Sequence, residues 1–267
     1  MKLAFSTLGC PNWTWNEIVS TAKDLGMNGI EVRGVYNDLN SYDSPTFQKA
    51  NIETTTSKLK NLGLEICIFS SSAVISDQKR IDEYMNETGR YVTLAAETGA
   101  KYVRVLGDRS PEPKDEVDDE YVIFRLKKLC VFAEKYDVTL LIETNGAYAD
   151  TSRLAKLIES TGKPNAGILW DVHHPYRFMN EPVSDSYMNV RKYLKHVHVK
   201  DSVMRDGKTV YKIPGHGDVP LEKCVRLLRD SEYEGYISLE WVKRWNEELE
   251  DPGIVFSNFV NFMRSIK

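Results

Sequence analysis

The segment HVHVKD, residues 196–201, concentrates side chains that bind metals and transfer protons. Successive side chains of an extended strand point to opposite faces, so His196, His198 and Lys200 share one face and the two valines occupy the other. Imidazole and ammonium groups are costly to bury without polar partners. We therefore expect the polar face of this segment to look onto a functional site.

Three further apolar segments end in an acidic residue. LLIE ends at Glu143, ILWD at Asp171 and ISLE at Glu240. In each strand the preceding side chain on the same face lies about 6.6 Å deeper, so the acidic residues form a layer of their own. Brought together without partners, three buried carboxylates would repel each other and lose several kcal/mol each of hydration.

A divalent cation bound between the three carboxylates would offset this repulsion and loss of hydration. Three carboxylates and one imidazole suit Mn²⁺ best, with Mg²⁺, Co²⁺ or Zn²⁺ as alternatives. The competing interpretation is that these are four unrelated polar residues at loop entrances. We predict one divalent metal ion, bound by Glu143, Asp171, His198 and Glu240.

Short apolar segments that recur along the chain must position these residues. Most are rich in Ile, Val, Leu or aromatic residues, as buried parallel strands are. Between them lie stretches with helical spacing, for example Val122, Leu126 and Leu129. The eight predicted strands span residues 3–7, 29–34, 64–70, 102–107, 139–144, 166–171, 196–201 and 236–241.

Eight strands alternating with eight helices predict an α/β protein, a (β/α)8 TIM barrel, with a single domain over residues 1–267. A doubly wound sheet would not predict eight strands. Functional residues of such barrels lie at the C-terminal ends of the strands, where all four predicted ligands fall.

The composition argues against several classes of protein. The formal net charge is −4, which is unlike a protein that binds nucleic acid through its phosphates. The four cysteines are widely spaced, which favours buried thiols over a zinc ribbon or disulfide framework. The N-terminal stretch lacks the pattern of a signal peptide, and no apolar run reaches the roughly 18 residues of a membrane span. We expect a cytoplasmic protein that binds neither nucleic acid nor membrane; a homo-oligomer is left open.

The stretches LLIETNG, WDVHHPY, HVHVKD, PGHGDVP and YEGYISLEW resemble the sugar phosphate isomerase/epimerase group of the xylose-isomerase-like barrels. This group includes ketose 3-epimerases and inosose dehydratase. The resemblance covers residues 140 to 241, and the N-terminal half matches only in outline, through GIEVRG and GAKYVRV. It places the family's metal ligands on the same four residues, and it implies that the histidine three residues after Asp171, His174, contacts a substrate hydroxyl.

Further substrate contacts are expected at the mouth of the barrel. Lys200 either contacts a substrate oxygen or pairs with Asp201. Arg205 lies where the family often binds substrate or phosphate, shifted by one residue, and a solvated hairpin is the alternative. Trp15 either covers the sugar or packs the first helix against the barrel. The role of His216 is left open.

The resemblance implies an epimerase or isomerase of a small ketose or ketose phosphate. A proton alpha to the carbonyl is removed and returned by Glu143 and Glu240, and the metal stabilises the enediolate. The nearest alternative is an inosose-type dehydratase acting on the same metal site. An apurinic-site endonuclease is disfavoured because all five histidines lie between 173 and 216. A sugar-binding protein without turnover is the remaining alternative.

Overall fold

A closed barrel of eight parallel strands forms the centre of the computed structural model, which describes residues 1–114 and 116–266. Its spatial order is β1-β10-β7-β6-β5-β4-β3-β2, so the predicted TIM barrel is confirmed. The barrel strands are β1 (Lys2–Ser6), β2 (Gly29–Val32), β3 (Glu65–Val74), β4 (Tyr102–Leu106), β5 (Thr139–Glu143), β6 (Ala166–Asp171), β7 (Leu194–Val199) and β10 (Tyr236–Leu239).

Helices follow the strands and cover the outside of the barrel. The α-helices are α1 (Trp15–Asp24), α2 (Ile52–Leu62), α3 (Ile81–Thr98), α4 (Asp119–Glu134), α5 (Thr151–Thr161), α6 (His173–Phe178), α7 (Val183–Val190), α8 (Leu221–Asp230) and α9 (Pro252–Ser265). Short 3-10 helices span Thr7–Gly9, Ser41–Asp43, Pro45–Phe47 and Gly146–Ala149.

The connection from β6 to β7 departs from strict alternation. It contains two helices, α6 and α7, where the sequence pattern predicted one. Asn180 lies between them with a left-handed φ of 51°, and Pro182 precedes α7 as its N-cap. A left-handed residue followed by proline interrupts a helix, which is why this crossover divides.

Glycines end two of the helices that precede barrel strands. Gly63 ends α2 and Gly99 ends α3, with φ values of 71° and 80°. Both lie in the left-handed region, which glycine enters without steric cost, so each chain turns directly into the next strand.

The interior of the barrel has an apolar layer beneath its polar rim. Leu141 and Leu169 are fully buried there, two residues before Glu143 and Asp171 on the same strand faces. The outward faces of the same strands pack against the helices: Trp170 is fully buried and donates a hydrogen bond from Nε1 to Ser186 Oγ of α7, at 2.7 Å. The apolar layer closes the bottom of the polar site above it.

An antiparallel hairpin leaves the end of β7. It consists of β8 (Asp201–Arg205) and β9 (Lys208–Lys212). Asp206 and Gly207 form its turn with φ values of 51° and 73°, as the Asp-Gly signal predicts. The hairpin adds a wall beside the mouth of the barrel.

Two further sequence predictions concern the cysteines and the helices. Cys10, Cys67, Cys130 and Cys224 are all buried and free. Across residues 1–114 and 116–266, none of the helices has both the length and the apolar character that a membrane span requires.

Candidate active site

The four predicted metal ligands converge at the C-terminal ends of β5, β6, β7 and β10. One potential ligand atom from each lies within 4.8 Å of the others. The strands are staggered: Asp171 pairs with His198, whereas Glu143 pairs with Leu169. All four side chains are buried; Glu143 is 2% exposed and Glu240 6% exposed. A cluster of three buried carboxylates therefore surrounds one imidazole.

The imidazole of His198 has one nitrogen hydrogen-bonded and one facing the carboxylates. Its Nε2 lies 2.7 Å from a carboxylate oxygen of Glu31. Its buried Nδ1 has no hydrogen-bond partner in the described chain, although Glu143, Asp171 and Glu240 oxygens lie 3.7, 3.8 and 3.6 Å away. These distances are too long for hydrogen bonds but suit ligands that share one ion at about 2.0–2.2 Å. The donor set therefore fits a divalent cation.

The field at this imidazole favours positive charge. Burial by itself would lower the pKa of His198, but the carboxylates of Glu31 and Glu240 outweigh burial and raise its pKa well above the usual value. The same negative field would attract a metal cation to Nδ1.

Glu31 on β2 holds the outer side of this histidine, and sequence reasoning missed it. Its carboxylate lies 3.3 Å from His196 Nε2 and accepts a hydrogen bond from Ser70 Oγ at 3.0 Å. Burial acts to raise its pKa, but the two histidines outweigh that effect and hold the pKa well below its usual range. A carboxylate bonded to the far nitrogen of a ligand histidine fixes its tautomer and orientation. The available signal was an acidic residue inside the apolar segment GIEV.

Arg104 on β4 is a second missed residue. Its Nε lies 3.1 Å from Glu143 Oε2, and both side chains are buried. Its Nη1 donates to the carbonyl of Ser71 at 2.7 Å. Burial would raise the pKa of Glu143, but Arg104 lowers it strongly. Here the signal was a guanidinium inside the buried segment YVRVL.

Lys200 points into the cluster of carboxylates. Its Nζ contacts Asp171 Oδ2 and lies 2.5 Å from Glu240 Oε2, and the residue is 1% exposed. Burial would lower the pKa of Lys200, but Asp171 and Glu240 raise it, so the ammonium stays protonated.

The alternative pairing of Lys200 with Asp201 is not what the structure shows. Asp201 instead accepts hydrogen bonds from backbone N–H groups, including those of Gly215 and Gly217 at 2.9 and 2.8 Å. Asp201 therefore anchors the loop after the hairpin, while Lys200 belongs to the site.

His174 lies beside the cluster and lines the cavity above it. Its Nδ1 donates to the carbonyl of Thr144 at 3.0 Å, because a carbonyl can only accept. Burial lowers its pKa, which favours the neutral ring with an unprotonated Nε2. This nitrogen is 3.9 Å from Asp171 Oδ2 and can accept a hydrogen bond from a hydroxyl group in the cavity.

The cavity has a volume of about 600 Å³, within the usual range of small-molecule sites. Sequence reasoning missed two aromatic residues that line it, Tyr211 from the hairpin and Trp245 from the loop after β10. Trp245 is 60% exposed, so it stands at the opening. Polar groups in the lining include Arg104, Glu143, Asn145, His174, Lys200, Tyr211 and Glu240.

Two predicted substrate contacts lie outside this lining. Trp15 packs edge-on against Phe47, with ring centroids 5.3 Å apart, as its alternative role on the first helix implies. Arg205 is exposed at the end of β8, where it pairs in register with Lys208 beside the turn. The hairpin turns this end toward solvent and presents Tyr211 to the cavity instead.

Comparison with known proteins finds relatives by sequence and by fold. The segment of 129 residues that matches the fructoselysine 3-epimerase of Escherichia coli O157:H7 is 29% identical. It covers 46% of this chain and 46% of that protein, less than half of either length.

Solved structures extend the likeness of the fold to the whole chain. The probable 3-DHS dehydratase of Bacillus anthracis involved in petrobactin synthesis superposes with a TM-score of 0.82 at 18% identity, over 100% of both chains. The IOLI protein with a bound zinc atom superposes with a TM-score of 0.79 at 16% identity, over 100% of this chain and 99% of that one. The family described as xylose isomerase-like TIM barrel matches residues 19–255. The chain belongs to this xylose isomerase-like TIM barrel family.

Proposed function

We propose that this protein is a divalent-metal-dependent epimerase or isomerase of a small ketose or ketose phosphate. The observation that carries the proposal is the unpartnered, buried Nδ1 of His198, which faces the carboxylates of Glu143, Asp171 and Glu240 at 3.6–3.8 Å. The similarity to a fructoselysine 3-epimerase over part of the chain supports the same class of reaction.

The group that these residues fit is one divalent ion, with Mn²⁺ as the best match to three carboxylates and one imidazole. Glu143, Asp171, His198 and Glu240 would hold it. When bound, the ion would supply a Lewis acid that polarises the ketose carbonyl.

Glu143 and Glu240 are the proposed proton-transfer groups. Glu143 ends β5 and Glu240 directly follows β10. These strands lie three positions apart in the barrel, so the two carboxylates reach the cavity from different sides. One removes the proton alpha to the carbonyl and the other returns a proton to the opposite face. Arg104 beside Glu143 lowers the pKa of that carboxyl and so keeps it ionised. Lys200 Nζ lies 2.5 Å from Glu240 Oε2.

His174 and Asn145 are the proposed groups that orient the substrate. The neutral imidazole of His174 accepts a hydrogen bond from a substrate hydroxyl through Nε2. Asn145 lines the same cavity, and its amide donates to the carbonyl of Asp108 at 2.7 Å, which fixes the side chain.

The runner-up is a dehydratase on the same site, which the position of Lys200 favours. Its ammonium lies 2.5 Å from Glu240, so it can protonate a hydroxyl that leaves from the carbon beside the carbanion. Both reactions begin with the same proton abstraction. They differ in the next step, which is return of a proton in the epimerase and loss of a hydroxyl group in the dehydratase.

Turnover in D₂O tests the proposal and separates the two reactions. Ketoses, ketose phosphates and inososes are incubated with Mn²⁺-loaded protein and analysed by NMR and mass spectrometry. An epimerase gives an isomer labelled with one deuterium at the carbon alpha to the carbonyl. A dehydratase gives a product lighter by one water. Isomerisation without deuterium would contradict proton abstraction and indicate a hydride shift.

A further inference from the structure

A second cavity leads away from the candidate active site, toward α3 and the loop after β2. Its volume is about 650 Å³. Arg33, Leu106, Arg109 and Trp245 line both cavities, so the two are adjacent. The second cavity adds space beside the one that faces the carboxylates, which suits a substrate with a further group attached.

Arginines dominate the charged lining of this second cavity. Arg80 pairs with Glu83 at 2.5 Å, and Arg90 pairs with Asp43 at 3.0 Å. Arg109 pairs with Asp77. The arginine side chains of these three pairs are more than a third exposed. The carboxylate partner largely neutralises the charge of each arginine.

Arg33 differs from the other three. Within residues 1–114 and 116–266, no carboxylate oxygen lies within 4.0 Å of its guanidinium, and it is only 7% exposed. Glu87 also lines the cavity, but it lies beyond that distance and accepts a hydrogen bond from the Ser72 amide at 2.5 Å. Arg33 is thus a buried cation without a direct counter-ion.

The side chain of Arg33 is held in place by neutral groups. Its Nη1 donates to the carbonyl of Leu39 at 3.2 Å, and its Nη2 donates to Ser72 Oγ at 2.8 Å. Burial, and then Arg104 beside it, lowers the pKa of Arg33 to about 10, so it stays charged at neutral pH. A guanidinium has five N–H donors, and two of them are used here. An unpaired buried charge destabilises the folded protein, and an anionic ligand would offset that cost.

We propose that Arg33 binds an anionic group, a phosphate or a carboxylate, on the part of the substrate remote from the reacting carbon. Trp245, whose ring centroid lies 6.0 Å from Arg33 Cζ, packs against the segment that joins this group to the ketose. Arg104 lies between the two regions, since it acts on Arg33 and also contacts Glu143. The inference rests on the proposed ketose chemistry and defines which ketoses are substrates.

Paired substrates test this subsite. D-Fructose is compared with D-fructose 6-phosphate and with the glycine adduct of fructose, which carries a carboxylate, by their rates of deuterium incorporation. In the wild type we expect kcat/KM to be at least tenfold higher for one anionic ketose than for D-fructose. A preference for D-fructose 6-phosphate identifies the bound anion as phosphate, and a preference for the glycine adduct identifies it as carboxylate.

Three variants assign the preference to Arg33. Arg33→Gln should lower kcat/KM for the anionic ketose at least tenfold more than kcat/KM for D-fructose. Arg33→Lys, which keeps the charge, should retain part of the preference. Arg191→Gln, an exposed arginine outside the cavity, should behave as the wild type. An equal loss with neutral and anionic ketoses in Arg33→Gln would show a purely structural role and overturn the proposal.

A binding measurement separates the subsite from the proposed function. Calorimetry with inorganic phosphate and with N-acetylglycine requires no turnover. Binding of one of them that weakens at least tenfold in Arg33→Gln, but not in Arg191→Gln, would support the subsite even if no ketose reacts. Equal binding of both probes by the wild type and Arg33→Gln would overturn it.

Discussion

Glu143 and Glu240 carry out two tasks in the proposed site, since each is a metal ligand and a proton-transfer group. Substitution by glutamine keeps the size and one oxygen but removes the base. We expect Glu143→Gln and Glu240→Gln each to lower kcat by about 10² or more. Metal content measured on the same samples serves as the control. Full activity in a metal-loaded glutamine variant would contradict the assignment.

His174 and His198 are predicted to differ in what they bind. His198 Nδ1 faces the three carboxylates, whereas His174 holds Thr144 with one nitrogen and faces the cavity with the other. We expect His174→Ala to raise KM or lower kcat with metal content unchanged, and His198→Ala to lose the metal. Elemental analysis of both variants checks this. Equal metal loss in the two would place His174 among the ligands.

At the scale of the elements, β2 contributes to the site through Glu31, which bonds to the outer nitrogen of His198. Loss of such a partner commonly weakens metal affinity by about 10 to 100-fold. We expect Glu31→Gln to show this loss in a metal titration, because its neutral amide supports the imidazole less strongly. Glu97→Gln, an exposed position on α3, is the matched control. Unchanged affinity in Glu31→Gln would show that β2 does not support the metal.

The strand pattern was readable in the sequence because the buried strands are short apolar segments, and four of them carry a predicted ligand at or next to the C-terminal end. This gave the barrel and the convergence of Glu143, Asp171, His198 and Glu240. Glu31 and Arg104 were not identified, because their roles depend on which strands face each other across the barrel. Glu31 meets His198 across 167 positions of sequence, a contact that no local spacing encodes.

The loops were less predictable than the strands, for a related reason. The Asp-Gly turn specifies the hairpin but not its direction, so Arg205 was expected at the cavity that Tyr211 lines. Trp15 and Trp245 both lie in segments that follow barrel strands. Only tertiary packing determines that Trp15, on α1, packs against Phe47 whereas Trp245 lies at the opening of the cavity.

At the scale of the whole molecule, metal binding is expected to stabilise the fold. An ion that binds only the folded state adds about 2.7 kcal/mol at a hundred times its Kd, which for a chain of this size raises Tm by roughly 5 °C. We expect Mn²⁺ to give such a shift by calorimetry, EDTA to reverse it and His198→Ala to abolish it.

Metal stoichiometry gives an independent check on the whole protein. We expect about one divalent ion per chain in elemental analysis of the purified protein. Three tightly bound zinc ions per chain would favour the apurinic-site endonuclease that the histidine distribution disfavours.

The closure of the barrel also determines when, during synthesis of the chain, the proposed metal site can become complete. β10 fills the gap between β1 and β7, pairing Lys2 with Tyr236 and Ser238 with His198. As the chain leaves the ribosome, the first seven strands can assemble in sequence order, but they keep two open edges until β10 emerges. Glu240 follows β10 directly, so the event that seals the barrel also delivers the last of the four proposed ligands. A nascent chain would therefore have no complete ligand set to offer, and metal capture would mark a molecule whose barrel has closed.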